Sequence, residues 1–313
     1  MLSYLTGRLA ALLPVLLVVA VVVFMLIHVT PGDPARVLLG QDATTEQVAA
    51  LRHDLGLDRP LPLQFALWIG RAVRGDLGLS FFLHLPVTTD IAEHAGPTAM
   101  LSLLGLGVAL AIGIPVGIVS AVFRNSWLDQ ASLALAMLGA AVPSFWLGLS
   151  LIVLFAVDLG WLPSSGYRSP GAGLGLSLHY LLLPALALGL PNSSLIIRFT
   201  RSSLLDVLGN DYIRTASAKG LPRSRVIFRH AMRNALVPIL TVIGLTFAAL
   251  MGGAVVTETV FSLPGIGQLV VSSVLRRDYP VIQGVVLLVA TIYVLVNLAV
   301  DVMYFVVDPR VRY

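Results

Sequence analysis

The sequence predicts an all-α polytopic membrane protein with six transmembrane helices and both termini in the cytoplasm. Hydrophobic residues make up 57% of its 313 residues and charged residues only 12%, whereas a soluble domain carries about 25% charged residues. The mean hydropathy of +0.92 points the same way. Because so few polar groups cannot cover a surface in water, we expect lipid to be the solvent of most of the chain.

Six apolar runs are long enough to cross a bilayer, since a spanning helix needs about 20 apolar residues. The runs are 9–29, 97–123, 130–157, 179–197, 234–257 and 279–300. Arg8 before the first run is also compatible with a cleaved signal peptide. No Ala-x-Ala cleavage site follows that run, however, so we favour a retained anchor.

The distribution of Lys and Arg predicts the orientation. With the N-terminus in the cytoplasm, the inside segments hold 12 of these residues and the outside segments hold 8. Five of the eight lie in the long segment 30–96, where the positive-inside rule is weak. We therefore expect an anchor with an extracytoplasmic segment (1–96), followed by a core of five helices (97–313).

The extracytoplasmic segment is predicted to contain two short helices. Thr44-Thr-Glu-Gln47 has the capping-box pattern that begins a helix. A second helix is expected over 63–73, with Phe65, Trp68 and Ile69 on one side. Both helices are too short to cross the membrane.

The segment 201–235 is an Arg-rich stretch between two apolar runs. Helical spacing of apolar residues continues to about Ala218, Gly220 stands where a helix C-cap glycine belongs, and Pro222 suits the first turn of a new helix. The segment is thus predicted to be a helix, a turn and an amphipathic helix joined to the next span. One face of the second helix would carry Arg225, Arg229 and Arg233, and another Ile227, Phe228, Ala231, Met232 and Ala235.

Three interpretations of this segment remain open. It could be a solvated positive-inside loop, a helix on anionic lipid, or a docking element for a cytoplasmic partner. A positive-inside loop needs only charge, whereas this one also has an elbow with small residues, Ala216, Ala218 and Gly220, that allow close approach. Docking is therefore the interpretation that we favour.

Thr215-Ala-Ser-Ala-Lys-Gly220 resembles the EAA loop of membrane subunits of bacterial ABC importers, which seats in a cleft of the ATPase subunit. Arg214 stands at the acidic position of the general pattern, and its later proline appears only at Pro238. Asp211-Tyr-Ile-Arg-Thr-Ala-Ser-Ala-Lys-Gly220 is instead similar to the form of the dipeptide/oligopeptide/nickel permeases, in the first of their two permease subunits. Other stretches resemble this subfamily in the same order: Pro31-Gly-Asp-Pro34, Leu55–Leu61, Gly75–Ser80, Arg233-Asn-Ala235, Glu258–Gly267, Arg277-Asp-Tyr-Pro280 and Asp308-Pro-Arg310.

The resemblance implies a type I importer permease fold and a set of partners. These are a second homologous permease subunit, two cytoplasmic ATPase subunits that bind ATP and magnesium, and an extracytoplasmic solute-binding protein, all at a bacterial inner membrane. Glu258 is an acid at the end of the fifth span, where such residues mark possible sites, and with Thr257 it is a candidate for an outer gate; the alternative is an interfacial carboxylate that is solvated or paired. The residues expected to couple to the ATPase are Asp211, Tyr212, Arg214, Thr215, Ala216, Lys219, Gly220, Arg225 and Arg229.

Other chemistries find little support in the sequence. No Gly-x-x-x-x-Gly-Lys-Ser/Thr phosphate loop or nucleophile elbow occurs, so the chain is expected to hold no cofactor and to be no enzyme itself. The six His are scattered and there is no Cys, which argues against a metal site, and the net charge of +4 requires no nucleic acid. A secondary transporter driven by an ion gradient is the alternative of a different class, although mid-membrane acids and repeats are not apparent. For the cargo, di- or oligopeptides are favoured, with a nickel chelate, glutathione or another small solute as alternatives.

Overall fold

The computed structural model describes residues 2–29, 33–40 and 43–307. The part of Pro31-Gly-Asp-Pro34 before Asp33, and all of Asp308-Pro-Arg310, lie outside these residues. Within them the chain is helical, with no strand beyond an isolated bridge between Leu79 and Pro86. The helices are α1 (Leu2–Val29), α2 (Pro34–Leu39), α3 (Thr45–Asp54), α4 (Leu61–Val73), α5 (Val87–Val122), α6 (Trp127–Ala141), α7 (Ser144–Leu151), α8 (Leu174–Leu208), α9 (Asp211–Ala218), α10 (Arg223–Arg225), α11 (Met232–Phe261), α12 (Ile266–Arg276) and α13 (Tyr279–Val307). Two π-helical stretches (Ile152–Asp158 and Val226–Ala231) and a 3₁₀ turn (Pro170–Ala172) complete the secondary structure.

Five helices of the described chain are long and apolar enough to cross a membrane: α1, α5, α8, the continuous helix Arg223–Phe261, and α13. Where the sequence predicts one span over 130–157, the structure has two helices that meet at 97°. The first is α6, and the second is Ser144–Asp158, which consists of α7 and the π-helical stretch after it (together called the α7 helix). Pro143 explains the break, because the residue before a proline avoids the helical region, and Val142 is extended with φ −84° and ψ 120°. A sixth span results only if this bent pair crosses as one unit.

The chain divides into two compact units, of which the first comprises Met1–Gly96 and Gln268–Val294. In it, α3 begins with the predicted capping box, since Thr44 Oγ1 accepts from the Gln47 amide and Gln47 Oε1 accepts from the Thr44 amide. The second predicted helix is also present, as α4, and packs on α1.

The second unit comprises Pro97–Gly267 and Leu295–Tyr313. Helix α8 lies at its centre, where it packs against α6, α7 and α11, and fifteen of its residues are buried. Glycines allow α5 to approach α8 closely: a methyl group on Gly113 would collide with Ile196, and one on Gly117 with Thr200. Such close contact is how membrane helices gain packing energy, because lipid provides no hydrophobic drive between them.

A buried carboxylate organises a tight loop in the first unit. Asp278 accepts hydrogen bonds from Ser80 Oγ (2.5 Å) and from the amides of Phe81 (3.0 Å) and Phe82 (3.3 Å), while the Arg276 guanidinium lies 4.1 Å from the centre of the Phe82 ring. Ser80 and Asp278 belong to two sequence motifs almost 200 residues apart. The structure thus gives those two motifs a shared role, which is to hold this loop.

Replacing Asp278 by Asn should loosen the loop. The amide keeps one acceptor oxygen but turns a donor toward groups that donate, which costs about 1–3 kcal/mol for a buried hydrogen-bonded group. We expect faster chymotrypsin cleavage after Phe81 or Phe82, measured on the reconstituted protein. Asp54→Asn, at an exposed position of α3, is the matched control. Equal cleavage rates for the two variants would contradict the role assigned to Asp278.

Candidate coupling surface and the buried Glu258 site

The predicted elbow is present between α9 and the long helix that follows. Helix α9 ends at Ala218, Gly220 adopts the left-handed region with φ +76°, and Pro222 is extended with ψ 144°. Helical backbone then runs without interruption from Arg223 to Phe261. Glycine fits this turn because the left-handed conformation costs other residues about 1–2 kcal/mol.

Helix α9 is fixed to the rest of its unit by one apolar side. Ile213 and Ala216 are buried in a cluster whose other buried members are Ala121, Leu204, Val226, Ala231, Met232, Ala235 and Ile239. The Tyr212 hydroxyl accepts a hydrogen bond from Asn234 Nδ2 (2.6 Å). Arg223 donates to the carbonyl of Val122 (2.8 Å) and so ties the elbow to the end of α5. The segment is therefore a rigid projection rather than a loose loop.

The other side of α9 is open to solvent. Six of the predicted coupling residues are exposed there and at the turn: Asp211, Tyr212, Arg214, Thr215, Lys219 and Gly220. Arg214 contacts Asp211 at 3.3 Å, but both side chains are so exposed that this ion pair contributes little to stability. Ala216 differs from the others, because its methyl group faces the core.

The second helix follows the prediction with one exception. Arg225, Arg229 and Arg233 are exposed, and Ile227, Ala231, Met232 and Ala235 are buried. Phe228 was expected on the apolar face, and that expectation is wrong, because its side chain is 65% exposed and Val226 is buried instead. The reason is the π-helical stretch Val226–Ala231, whose wider turn shifts the register away from 3.6 residues per turn.

A cavity of about 270 Å³ lies at the elbow. Its walls come from the ends of α5 and α8, from α9 and from the start of the long helix: Val122, Leu208, Ile213, Ser217, Leu221, Arg223, Val226 and Ile227. The sequence could not indicate this cavity, since its walls come from separate segments.

An ion pair joins the buried Asp129 to the partly exposed Arg201 of α8. Asp129, at the start of α6, accepts from Arg201 Nε (2.7 Å) and Nη2 (2.8 Å), from Ser120 Oγ (2.5 Å) and from the Asn125 amide (2.9 Å). Its carboxylate is thereby fully satisfied although it is buried. In the sequence, Arg201 is one of the basic residues of the predicted cytoplasmic segments, and no local pattern indicates Asp129 as its partner.

The two candidate gate residues, Thr257 and Glu258, are buried near the end of α11. Glu258 Oε1 accepts from Thr98 Oγ1 (2.5 Å), and Thr98 Oγ1 in turn accepts from the Ile266 amide (2.8 Å). Gly265 and Gly267 leave room for the carboxylate, since a methyl group at either position would overlap it. Glu258 is thus a packed and hydrogen-bonded group rather than a solvated carboxylate.

No group of three or more His, Asp or Glu residues in the described part of the chain is arranged to hold a metal ion.

Comparison with known proteins agrees with these features. The chain matches the family described as binding-protein-dependent transport system inner membrane component over residues 113–313, and the N-terminal membrane component of such systems over residues 1–94. It is 45% identical to the glutathione transport system permease protein GsiC of Salmonella typhimurium LT2 and 44% to that of Escherichia coli K12, over 100% of both chains in each case.

A solved structure shows the same fold at low sequence identity. The inward-facing MetNI methionine ABC transporter superposes with a TM-score of 0.60 at 19% identity, covering 70% of this chain and 96% of the other. Membership of this family excludes the alternative of a secondary transporter, and such permeases are generally non-catalytic membrane components. The chain is a multi-pass inner-membrane permease subunit of an ABC importer, and it belongs to the dipeptide/oligopeptide/nickel type of the binding-protein-dependent transport family.

Proposed function

We propose that the chain crosses the membrane six times, with α6 and the α7 helix as one bent span and both termini in the cytoplasm. The positive-inside count supports this orientation, and it places α9 and the elbow on the cytoplasmic side. Residues 1–96 then act as the anchor with an extracytoplasmic segment, and residues 97–313 as the core.

In this arrangement the chain forms half of the translocation pathway beside a second homologous permease subunit. Two ATPase subunits dock in the cytoplasm and a solute-binding protein docks outside. The observation that carries this proposal is the rigid projection made by α9, with one side anchored in the core and the other exposed. A solvated loop needs no such anchorage.

Coupling follows from the continuity of Arg223–Phe261. A cleft of the ATPase holds the exposed side of α9 and the elbow, and its movement on ATP binding is transmitted by this helix toward Thr257 and Glu258 at its far end. Shifting a two-state gate from 1:99 to 99:1 needs about 5.5 kcal/mol of differential binding. The exposed residues Arg214, Thr215 and Lys219, with Arg225 and Arg229, supply contacts that differ between the two states.

The cargo that we propose is a short peptide. The relatives named for glutathione transport support this class, since glutathione is itself a tripeptide with one γ-linked bond. A nickel chelate or another small solute remains the alternative cargo for the same mechanism. Binding measurements on the partner solute-binding protein, with dipeptides, glutathione and nickel chelates as probes, distinguish these classes.

Replacing Gly220 by Asp tests the coupling proposal. No atom lies within 4 Å of the place where its Cβ would stand, so the substitution adds strain and a negative side chain on the docking surface without a clash inside the protein. We expect uptake to fall about tenfold, equivalent to about 1.4 kcal/mol of coupling free energy, with an unchanged amount of protein in the membrane.

The matched control is Gly75→Asp. Gly75 has φ +84° and equally open surroundings, but it lies in the extracytoplasmic segment. Backbone strain is therefore similar in the two variants, and only one of them alters the docking surface. Unchanged ATP-dependent uptake by Gly220→Asp, or an equal loss in both variants, would refute the proposal.

A further inference from the structure

Helix α4 packs on the last two turns of α1. The Phe24 ring meets the Phe65 ring edge-on at 5.4 Å between centroids and lies 5.8 Å from the Trp68 ring. One turn further along α1, a hydrogen bond of 3.2 Å joins His28 Nε2 and Gln64 Oε1. These contacts fix the level of α4 along α1.

The exposed surface of α1 indicates whether lipid or water surrounds α4. Its residues Leu12–Val29 have a mean hydropathy of 3.0, and only 17% of them are buried inside the protein. On either side of Phe24, Val22 is 58% exposed and Val29 is 77% exposed. An apolar helix surface of this kind requires lipid, so a helix packed on the same turns lies at the depth where lipid begins.

The outward side of α4 suits such a position. Leu63, Ala66 and Leu67 are exposed in its first half, and Arg71 and Arg74 are exposed at its end. With 13 residues it extends about 20 Å, too short to cross a hydrocarbon core of about 30 Å. Apolar residues followed by arginines, with a Trp beside them, are typical of helices that lie in the bilayer interface.

We propose that α4 is an interfacial helix, embedded in the leaflet that surrounds the C-terminal end of α1. Leu63, Ala66 and Leu67 contact acyl chains, while Arg71 and Arg74 extend along the helix to bind lipid phosphates. The extracytoplasmic segment is then held to the membrane by its own helix in addition to α1. This inference depends neither on the cargo nor on the coupling surface.

Nitroxide scanning tests the proposal, and the absence of native cysteine from the chain makes single-site labelling straightforward. Labels are placed by Leu63→Cys, Leu67→Cys and Arg74→Cys in the assembled transporter in phospholipid nanodiscs. Val22→Cys on α1 is the lipid reference, and Glu46→Cys on the exposed side of α3 is the water reference. A sample with the unsubstituted chain corrects for labelling of the other subunits.

The measured quantity is the ratio of collisions with oxygen, which concentrates in lipid, to collisions with a water-soluble nickel chelate. We expect ratios at 63 and 67 several-fold above that at 46 and close to that at 22, with an intermediate ratio at 74. Ratios at 63 and 67 equal to that at 46 would overturn the interfacial position. A ratio at 74 as high as at 22 would overturn the assignment of the arginines to the headgroups.

Discussion

Asp129→Ala is expected to destabilise the protein by about 1–3 kcal/mol, because it removes the carboxylate that pairs with Arg201, whose side chain is only 22% exposed. Asp129 is buried, and Arg201 holds it through two hydrogen bonds of 2.7 and 2.8 Å. The loss should appear as a lower apparent Tm of the detergent-solubilised protein and a smaller amount in the membrane.

A double-mutant cycle separates the lost ion pair from simple loss of packing. In Asp129→Ala/Arg201→Met the stranded charge is gone, so the double variant should be less destabilised than the sum of the single variants. The control is Asp211→Ala, which removes the exposed pair with Arg214 and should change stability by less than about 0.5 kcal/mol. Equal Tm changes for Asp129→Ala and Asp211→Ala would show that the buried pair has no special weight.

The sequence could predict the elbow because its determinants are local. Gly220 and Pro222 act within one turn, and the apolar positions around Ile213 repeat at helical spacing. The exposure of Phe228 could not be predicted in the same way. Helical periodicity assumes 3.6 residues per turn, and a π-helical stretch breaks that assumption with no signal of its own in the composition.

The polar contacts inside the protein were equally inaccessible from sequence. Asp129 with Arg201, and Ser80 with Asp278, are separated by 72 and 198 residues, and no local rule pairs side chains over such distances. The bend at Pro143 could be predicted only in part. The proline itself is visible in the sequence. Whether its helix bends or breaks depends on neighbours that satisfy the backbone groups it leaves unpaired.

Gly265→Ala is the second substitution expected to have a large effect. The new methyl group would overlap the carboxylate of Glu258, which is fully buried and held by Thr98, so the side chain has little room to withdraw. Overpacking of this kind costs about 1–3 kcal/mol. We expect a cost near the upper end of this range, because displacing the buried carboxylate would also disturb its hydrogen bond. We expect a reduced apparent Tm and, because Glu258 is a candidate for the proposed outer gate, altered uptake. Gly252→Ala, in open surroundings on α11, should leave both unchanged.

Repeating Gly265→Ala in a Glu258→Ala variant tests whether overlap with the carboxylate causes the destabilisation. Removing the carboxylate deprives Thr98 of its acceptor and is itself destabilising by about 1–3 kcal/mol. It also removes the atoms that the new methyl group would meet, so Gly265→Ala should then have almost no further effect on the Tm. If Gly265→Ala lowers the Tm as much in the Glu258→Ala variant as in the original protein, Gly265 is required for its backbone conformation and not for the space that it leaves to Glu258. Near-complete suppression would identify the carboxylate as the group around which this part of the chain is packed.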